Sequence, residues 1–389
     1  MNALAVYVHI PFCVRVCGYC DFNAYAGMDD LKGAYAEAVA TEIAAWAPVF
    51  ADRTVTSIAF GGGTPGEMAP AEIAAMLDAL RAVAAVDASA EISLEANPGT
   101  TAGADLGALA AAGVNRLSFG AQSFAADELA FLDRIHTPEA SAASLALARD
   151  AGIRSVNLDL MYGLPGQTLA AWGATVLQAL ALAPDHLSMY ALTVEPGTPL
   201  ARRVERGEVV PADPDLVADM YEAADERAEA AGLAAYELSN WALPQHESRH
   251  NRVYWTYGDY VGIGAGAHGF VGGERFENIA HPRAYIEAVK RSGRAIETSY
   301  RPQPETAVGD WLALRLRLIE GFAPGEFRAQ FGQELEAVVG EPTARCLSAG
   351  LLEHYQGRLR LTCRGRLLHS EVAVQMLTHL QQSPLVGAD

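Results

Sequence analysis

The sequence predicts an α/β fold: an open, six-stranded parallel (β/α)6 partial TIM barrel followed by a small C-terminal winged-helix-like α+β domain. Two observations predict it. From residue 1 to about residue 200, short β-branched and apolar runs alternate with Ala-rich helical stretches, the signature of repeated βα units, a parallel sheet and outer helices. Beyond about residue 300 this alternation stops, and helical stretches flank a single hairpin.

The expected strands are Ala5–Ile10, Val55–Phe60, Glu91–Glu95, Arg116–Phe119, Ser155–Met161 and His186–Leu192. Between them Lys32–Trp46, Ala71–Ala84, Ala104–Ala112, Pro138–Ala151 and Leu169–Ala183 read as helices. Gly262 to Gly269 reads as a small-residue strand and turn, which would pack under a cofactor or simply close the sheet. Further on, Trp311–Ile319, Gly325–Phe331 and Gln333–Val339 read as helices, Leu351–Tyr355 and Arg358–Thr362 as a hairpin around Gln356-Gly357, and about Arg366–Leu380 as a last helix. The expected divisions are a barrel over residues 1–230, a barrel-capping region over 231–299 and the C-terminal domain over 300–389.

With 389 residues, 51% of them hydrophobic, the chain can bury a large core. Its net charge of −19 speaks against general binding of nucleic acid or anionic membranes, which needs a basic surface. Arg345, Arg358, Arg360, Arg364 and Arg366 make the C-terminal end locally basic, and a solvated face or an acidic partner accounts for them better than DNA. Cys346 and Cys363 are too few and too far from the other three cysteines for a disulfide framework. That usage, with no basic stretch before the first strand, is expected of a cytoplasmic protein. Gly163 to Pro184 is uncharged but interrupted by Pro165, Gly166, Gln167 and Gln178, which suits a loop and buried helix better than a membrane span.

The chemistry begins at Cys13, Cys17 and Cys20, spaced C-x3-C-x2-C directly behind the first strand. Three thiolates can ligate three irons of a 4Fe–4S cube and leave the fourth open to a small molecule. Tetrahedral zinc held by these thiolates and His9 is the competing reading. Later motifs fall at strand ends, where such barrels keep their chemistry. Gly61-Gly62-Gly63-Thr64-Pro65 follows the second strand and would let backbone N–H and C=O groups approach a ligand, although a tight βα turn explains the glycines equally well. Glu95-Ala96-Asn97-Pro98 follows the third, Gln122 and Arg134 the fourth, and Asp159 interrupts an otherwise apolar fifth, where a buried carboxylate needs a partner.

The cysteine spacing, with Tyr19 just before the third cysteine, resembles the radical S-adenosylmethionine (SAM) superfamily. In that family SAM chelates the open iron, and an electron from the cluster cleaves its sulfonium to a 5′-deoxyadenosyl radical. Tyr7 to Cys13, Gly61 to Pro65, Glu95 to Pro98, Gln122, Arg134 and Asn157 to Gly163 narrow the likeness to the coproporphyrinogen III oxidase branch, the HemN and HemW proteins. The resemblance implies that Tyr7, Tyr19, Gly62, Gly63, Thr64, Glu95, Gln122, Arg134 and Asp159 contact SAM. It also implies an electron donor for the cluster. The oxidases carry a further Cys two residues after the third, where this chain has Phe22, and an extension ahead of the first strand.

His250-Asn251-Arg252-Val253-Tyr254-Trp255 matches instead the H-N-x-x-Y-W sequence of HemW-type heme chaperones. The resemblance implies that His250, Asn251, Tyr254 and Trp255 bind heme, with His250 on its iron, and that the partners are heme-acceptor proteins, membrane-associated ones included. The residues agree in themselves: a neutral imidazole ligates heme iron, and Tyr and Trp rings offer flat surfaces to a porphyrin. On a helix His250 and Tyr254 would share a face. A His packed within a helical hairpin fits the same pattern, and His268 is a second candidate iron ligand.

Overall fold

The computed structural model describes residues 2–100 and 105–382, which form two compact units. Of the described residues, those up to 234 with 241–250 and 259–299 make the first; 235–240, 251–258 and 300–382 make the second.

In the first unit six strands lie side by side in chain order: β1 (Asn2–Ile10), β2 (Arg53–Gly62), β3 (Ala85–Ala96), β4 (Arg116–Gln122), β5 (Ser155–Tyr162) and β6 (His186–Ala191). Every adjacent pair is parallel, with Tyr7 opposite Ala59, Ala59 opposite Ser93 and Ser93 opposite Arg116. The sheet stays open, because β1 pairs on its other side with Tyr260–Ile263, also in parallel, and antiparallel strands His268–Val271 and Glu274–Asn278 follow. The expected small-residue segment is thus a strand, a turn and the start of a second strand. After the first five strands come helices α1 (Lys32–Ala45), α2 (Pro70–Val83), α3 (Leu106–Ala112), α4 (Pro138–Asp150) and α5 (Leu169–Ala181). The start expected for α3, Ala104, lies outside the described residues.

Local chemistry sets the helix ends. Asp105 and Thr168 cap α3 and α5 by accepting backbone N–H bonds from Ala108 and Ala171, and Pro70 and Pro138 open α2 and α4 where no donor is required. Gly113, at φ +110°, ends α3 in the left-handed region.

Alternation along the strands separates two environments. Val6, Val8, Ile58, Phe60, Leu94, Leu117, Phe119, Leu158, Leu160 and Leu187 are buried. Each such side chain contributes roughly 1.5–3 kcal/mol by leaving water. The intervening residues are mostly polar, and several bond to one another across strands, so they share the inner face: Arg116 donates to Ser155, Ser118 to Asp159, and His186 Nδ1 to Asn157 Oδ1 at 2.7 Å. Buried polar groups persist only when satisfied in this way.

The second unit has its own core, in which Trp311 meets Phe322 and Phe327 edge to face at 4.8 and 5.5 Å. Its helices are Pro304–Arg315, Pro324–Phe331, Leu335–Ser348, Cys363–Leu367 and His369–Gln382, around the hairpin Leu352–Tyr355/Arg358–Leu361. Three boundaries differ from expectation. The first helix begins at Pro304 and ends by Arg315, because Leu318 bridges to Glu237 as a strand. The third continues past a kink at Val339, three residues before Pro342, and the last breaks at Leu368. Three of the five arginines are paired with carboxylates in place, Arg345 with Glu341, Arg358 with Glu326 and Arg360 with Glu353, and Arg364 donates to the Ala349 carbonyl. Among the described residues no helix is long and apolar enough to cross a membrane.

Candidate functional site

The loop behind β1 is closed at its base, where Phe12–Cys13 pairs in parallel with Tyr25–Ala26. A turn from Cys17 to Cys20, bridged by a 3.1 Å backbone bond, folds the loop, and Asn23 anchors it by donating to the carbonyls of Ala265 and Ala280. These restraints bring Cys13, Cys17 and Cys20 to one cavity of about 440 Å³ at the C-terminal ends of the strands. Tyr19, Gly62, Gly63, Thr64, Glu95, Gln122, Arg134 and Asp159 line the same cavity. Of the residues expected around the cofactor only Tyr7 stands behind it: its ring packs at the back of Gly61, and its hydroxyl meets His9 Nδ1 at 3.0 Å.

The glycine run serves packing more than ligand approach. A Cβ on Gly62 would come within 2.4 Å of the His9 ring, and one on Gly63 within 2.7 Å of the Phe12 carbonyl. The N–H groups of Gly63 and Thr64 are spent on the carbonyls of Ile10 and Phe12, and that of Gly62 on Glu95. The loop and the Gly-Gly-Gly turn are therefore one locked piece.

Burial governs the electrostatics. It raises Glu95 to about 7, helped by the charge of Asp159 and opposed by the Gly62 N–H. Burial also raises Asp159, against hydrogen bonds from Ser118 and Asn157. Two carboxyl groups on one cavity wall that are costly to ionise by themselves gain from a cationic, hydroxyl-bearing ligand, which favours their charged form and which the ammonium, sulfonium and ribose of SAM supply. Burial likewise raises the Cys13 thiol and lifts Cys20 to about 11, so a metal's charge has to draw the protons off. Among the described residues no three His, Cys, Asp or Glu side chains converge as they do on a single metal ion. A cube instead gives each thiolate its own iron corner. His9, the fourth ligand of the zinc reading, is occupied on both nitrogens, by Tyr7 and by the Asn23 carbonyl at 2.9 Å.

The sequence reading missed Asn97 and Tyr190, which also line the cavity. The signal was present: Tyr190 follows His186 and Ser188 at strand spacing on the inner face, and Asn97 sits in the Glu95–Pro98 motif.

The second motif is helical over Arg249–Trp255. Glu91 holds its start, accepting from Ser248 Oγ and from the backbone N–H groups of Arg249 and His250 at 3.4, 3.1 and 3.0 Å. His250 is 2% exposed in the barrel floor, with Nδ1 3.1 Å from Ser57 Oγ and its ring 6.4 Å from that of Tyr7. Burial lowers its pKa to about 3. Asn251, Tyr254 and Trp255 belong to the second unit, where Arg317 lies 4.4 Å over the Trp255 ring and pairs with the buried Glu237. Neither unit alone gathers all four residues. His268 is exposed, 3.7 Å from Glu277.

Residues 7–179 match the Radical SAM superfamily, and residues 303–368 match the HemN C-terminal domain. A Mycobacterium tuberculosis protein called heme chaperone HemW is 39% identical over 376 residues, covering 96% of this chain and 94% of its own. The chain belongs to the radical SAM superfamily, in its HemW branch. Heme chaperone HemW of Escherichia coli K12 is 37% identical over 374 residues, covering 94% of this chain and 95% of its own. Among solved structures, coproporphyrinogen III oxidase (HemN) from Escherichia coli, described as a radical SAM enzyme, matches with a TM-score of 0.83 at 26% identity, over 97% of this chain and 91% of that one. Membership in the radical SAM superfamily implies SAM and a 4Fe–4S cluster, and the thiols and carboxylates of the cavity suit both.

Proposed function

We propose that this protein is a heme chaperone, which binds heme and passes it to acceptor proteins from a radical SAM scaffold. The near-full-length likeness to a relative named heme chaperone carries this reading, at 39% identity. Phe22 supports it against the oxidase: where the resemblance would place a further Cys, this chain sets an exposed apolar side chain at the cavity.

In this reading Cys13, Cys17 and Cys20 hold the cluster, Glu95 and Asp159 take the ammonium and hydroxyls of SAM, and Gly62, Gly63, Thr64, Tyr19, Gln122 and Arg134 complete its surroundings. When bound, the pair supplies one-electron chemistry, with the electron coming from an external donor. His250, with Asn251, Tyr254 and Trp255, engages heme. Its imidazole is held neutral, as an iron ligand must be. Presenting it means giving up the bond to Ser57, so heme binding through His250 is expected to be slow and to loosen the Arg249–Trp255 helix.

The test is a heme titration of anaerobically reconstituted protein, with transfer to an apo-acceptor and a coproporphyrinogen III assay on the same sample. Stoichiometric heme binding, weakened in His250→Ala and intact in His268→Ala, is expected, without protoporphyrinogen. Turnover of coproporphyrinogen III without heme binding would establish the oxidase instead.

A further inference from the structure

Along the cavity wall runs a directed set of hydrogen bonds that reaches two of the three cysteines. Arg134 Nη1 points at Cys17 Sγ, 3.6 Å away, a long contact suited to sulfur. Its Nη2 donates to Asn97 Oδ1 and, at 2.7 Å, to the Gly120 carbonyl. Asn97 Nδ2 in turn donates to Thr64 Oγ1 at 3.1 Å, and Thr64 Oγ1 lies 3.3 Å from Cys13 Sγ.

Chemistry fixes the direction of each link. A guanidinium only donates, so the Asn97 atom facing it is the carbonyl oxygen, and the amide NH2 faces Thr64. Thr64 Oγ1 receives that bond, which leaves its own O–H to turn toward Cys13. A cysteine that ligates iron carries no proton, so the hydrogen in the Thr64–Cys13 contact is the hydroxyl's. Gly120 is part of the arrangement, since a Cβ there would sit 3.0 Å from Arg134 Nη2.

We infer that Arg134, Asn97 and Thr64 form a relay of positioning residues that donates hydrogen bonds to the sulfurs of Cys17 and Cys13 and so raises the reduction potential of the cluster. Donors to ligand sulfurs are among the factors that set such potentials, because they favour the more negative, reduced state. Arg134 contributes twice, once directly and once by orienting Asn97. The inference rests on the cluster assignment and not on heme binding.

The test uses full-length protein, reconstituted anaerobically with iron and sulfide in the absence of SAM, with the midpoint followed by EPR during a dye-mediated redox titration. Wild type must first load a full cluster; failure at that step overturns the cluster assignment itself. At a fixed poise, Thr64→Val should lower the ratio of reduced to oxidised cluster roughly threefold to tenfold. Asn97→Ala should lower it less, because Thr64 keeps its hydroxyl but loses its orientation. Thr64→Ser should stay at the wild-type midpoint. Equal midpoints in wild type and Thr64→Val overturn the relay, as does a Thr64→Ser shift as large as that of Thr64→Val. If Thr64→Val does not load iron, Asn97→Ala decides, and an unmoved midpoint overturns the inference.

Discussion

Ser57 Oγ and His250 Nδ1 meet at 3.1 Å inside the barrel floor, joining two residues that are 193 positions apart in the chain. Replacing His250 by Leu leaves the Ser57 hydroxyl buried without that partner and is expected to cost about 1–3 kcal/mol. Adding Ser57→Ala should return part of the loss, and urea unfolding of the two single variants and the double variant measures the coupling.

Glu91 takes three hydrogen bonds at the start of the Arg249–Trp255 helix and lies 3.8 Å from the buried Arg116. Glu91→Ala strands a buried guanidinium, and a loss on the order of 3–5 kcal/mol is expected. Glu91→Gln, which keeps acceptors for the helix, should lose less. Thermal unfolding of both variants separates the charge from the cap.

Stability should fall in mild acid. Burial holds His250 at about 3 and His186 well below its usual value, whereas both titrate near 6.5 once unfolded. Below 6.5 the unfolded chain takes up protons that the folded chain refuses, so stability is full above that pH and declines toward the folded values. His250 alone should remove about 2 kcal/mol between pH 7.5 and pH 5. Denaturant titrations across that range should show the slope, reduced in His186→Gln.

SAM affinity should depend on pH through Glu95, held near 7 by burial and by the charge of Asp159. The carboxylate favours a cationic ligand, so affinity should weaken as pH falls from 8 to 6. Removing the like charge with Asp159→Asn should move that decline to lower pH. Calorimetric titrations of SAM into reconstituted protein would show it, and an unchanged pH profile in Asp159→Asn would contradict the coupling.

Much of this was legible in the chain. All six barrel strands were found because β-branched runs and Ala-rich stretches differ locally, and the expected residues that line the cavity carry their signal within a few positions of a strand end, whereas Asn97 and Tyr190 were passed over. What escaped depends on distance. Nothing near His250 tells that Ser57 and Glu91 enclose it, and nothing near Thr64 tells that Asn97, 33 residues on, turns its hydroxyl. The helix expected over Trp311–Ile319 stops early because Leu318 finds a partner in Glu237, far upstream. The paired roles of the strands went unread because an inner face made of Ser, Asn, Arg, Glu and His resembles a solvent face when seen one strand at a time.

The filled floor has a consequence for traffic. With Arg116, Glu91, His186 and His250 occupying that end, anything small has to come and go at the cysteine rim. A nucleoside seated at that rim therefore departs by the door it entered, whatever happens at the sealed end.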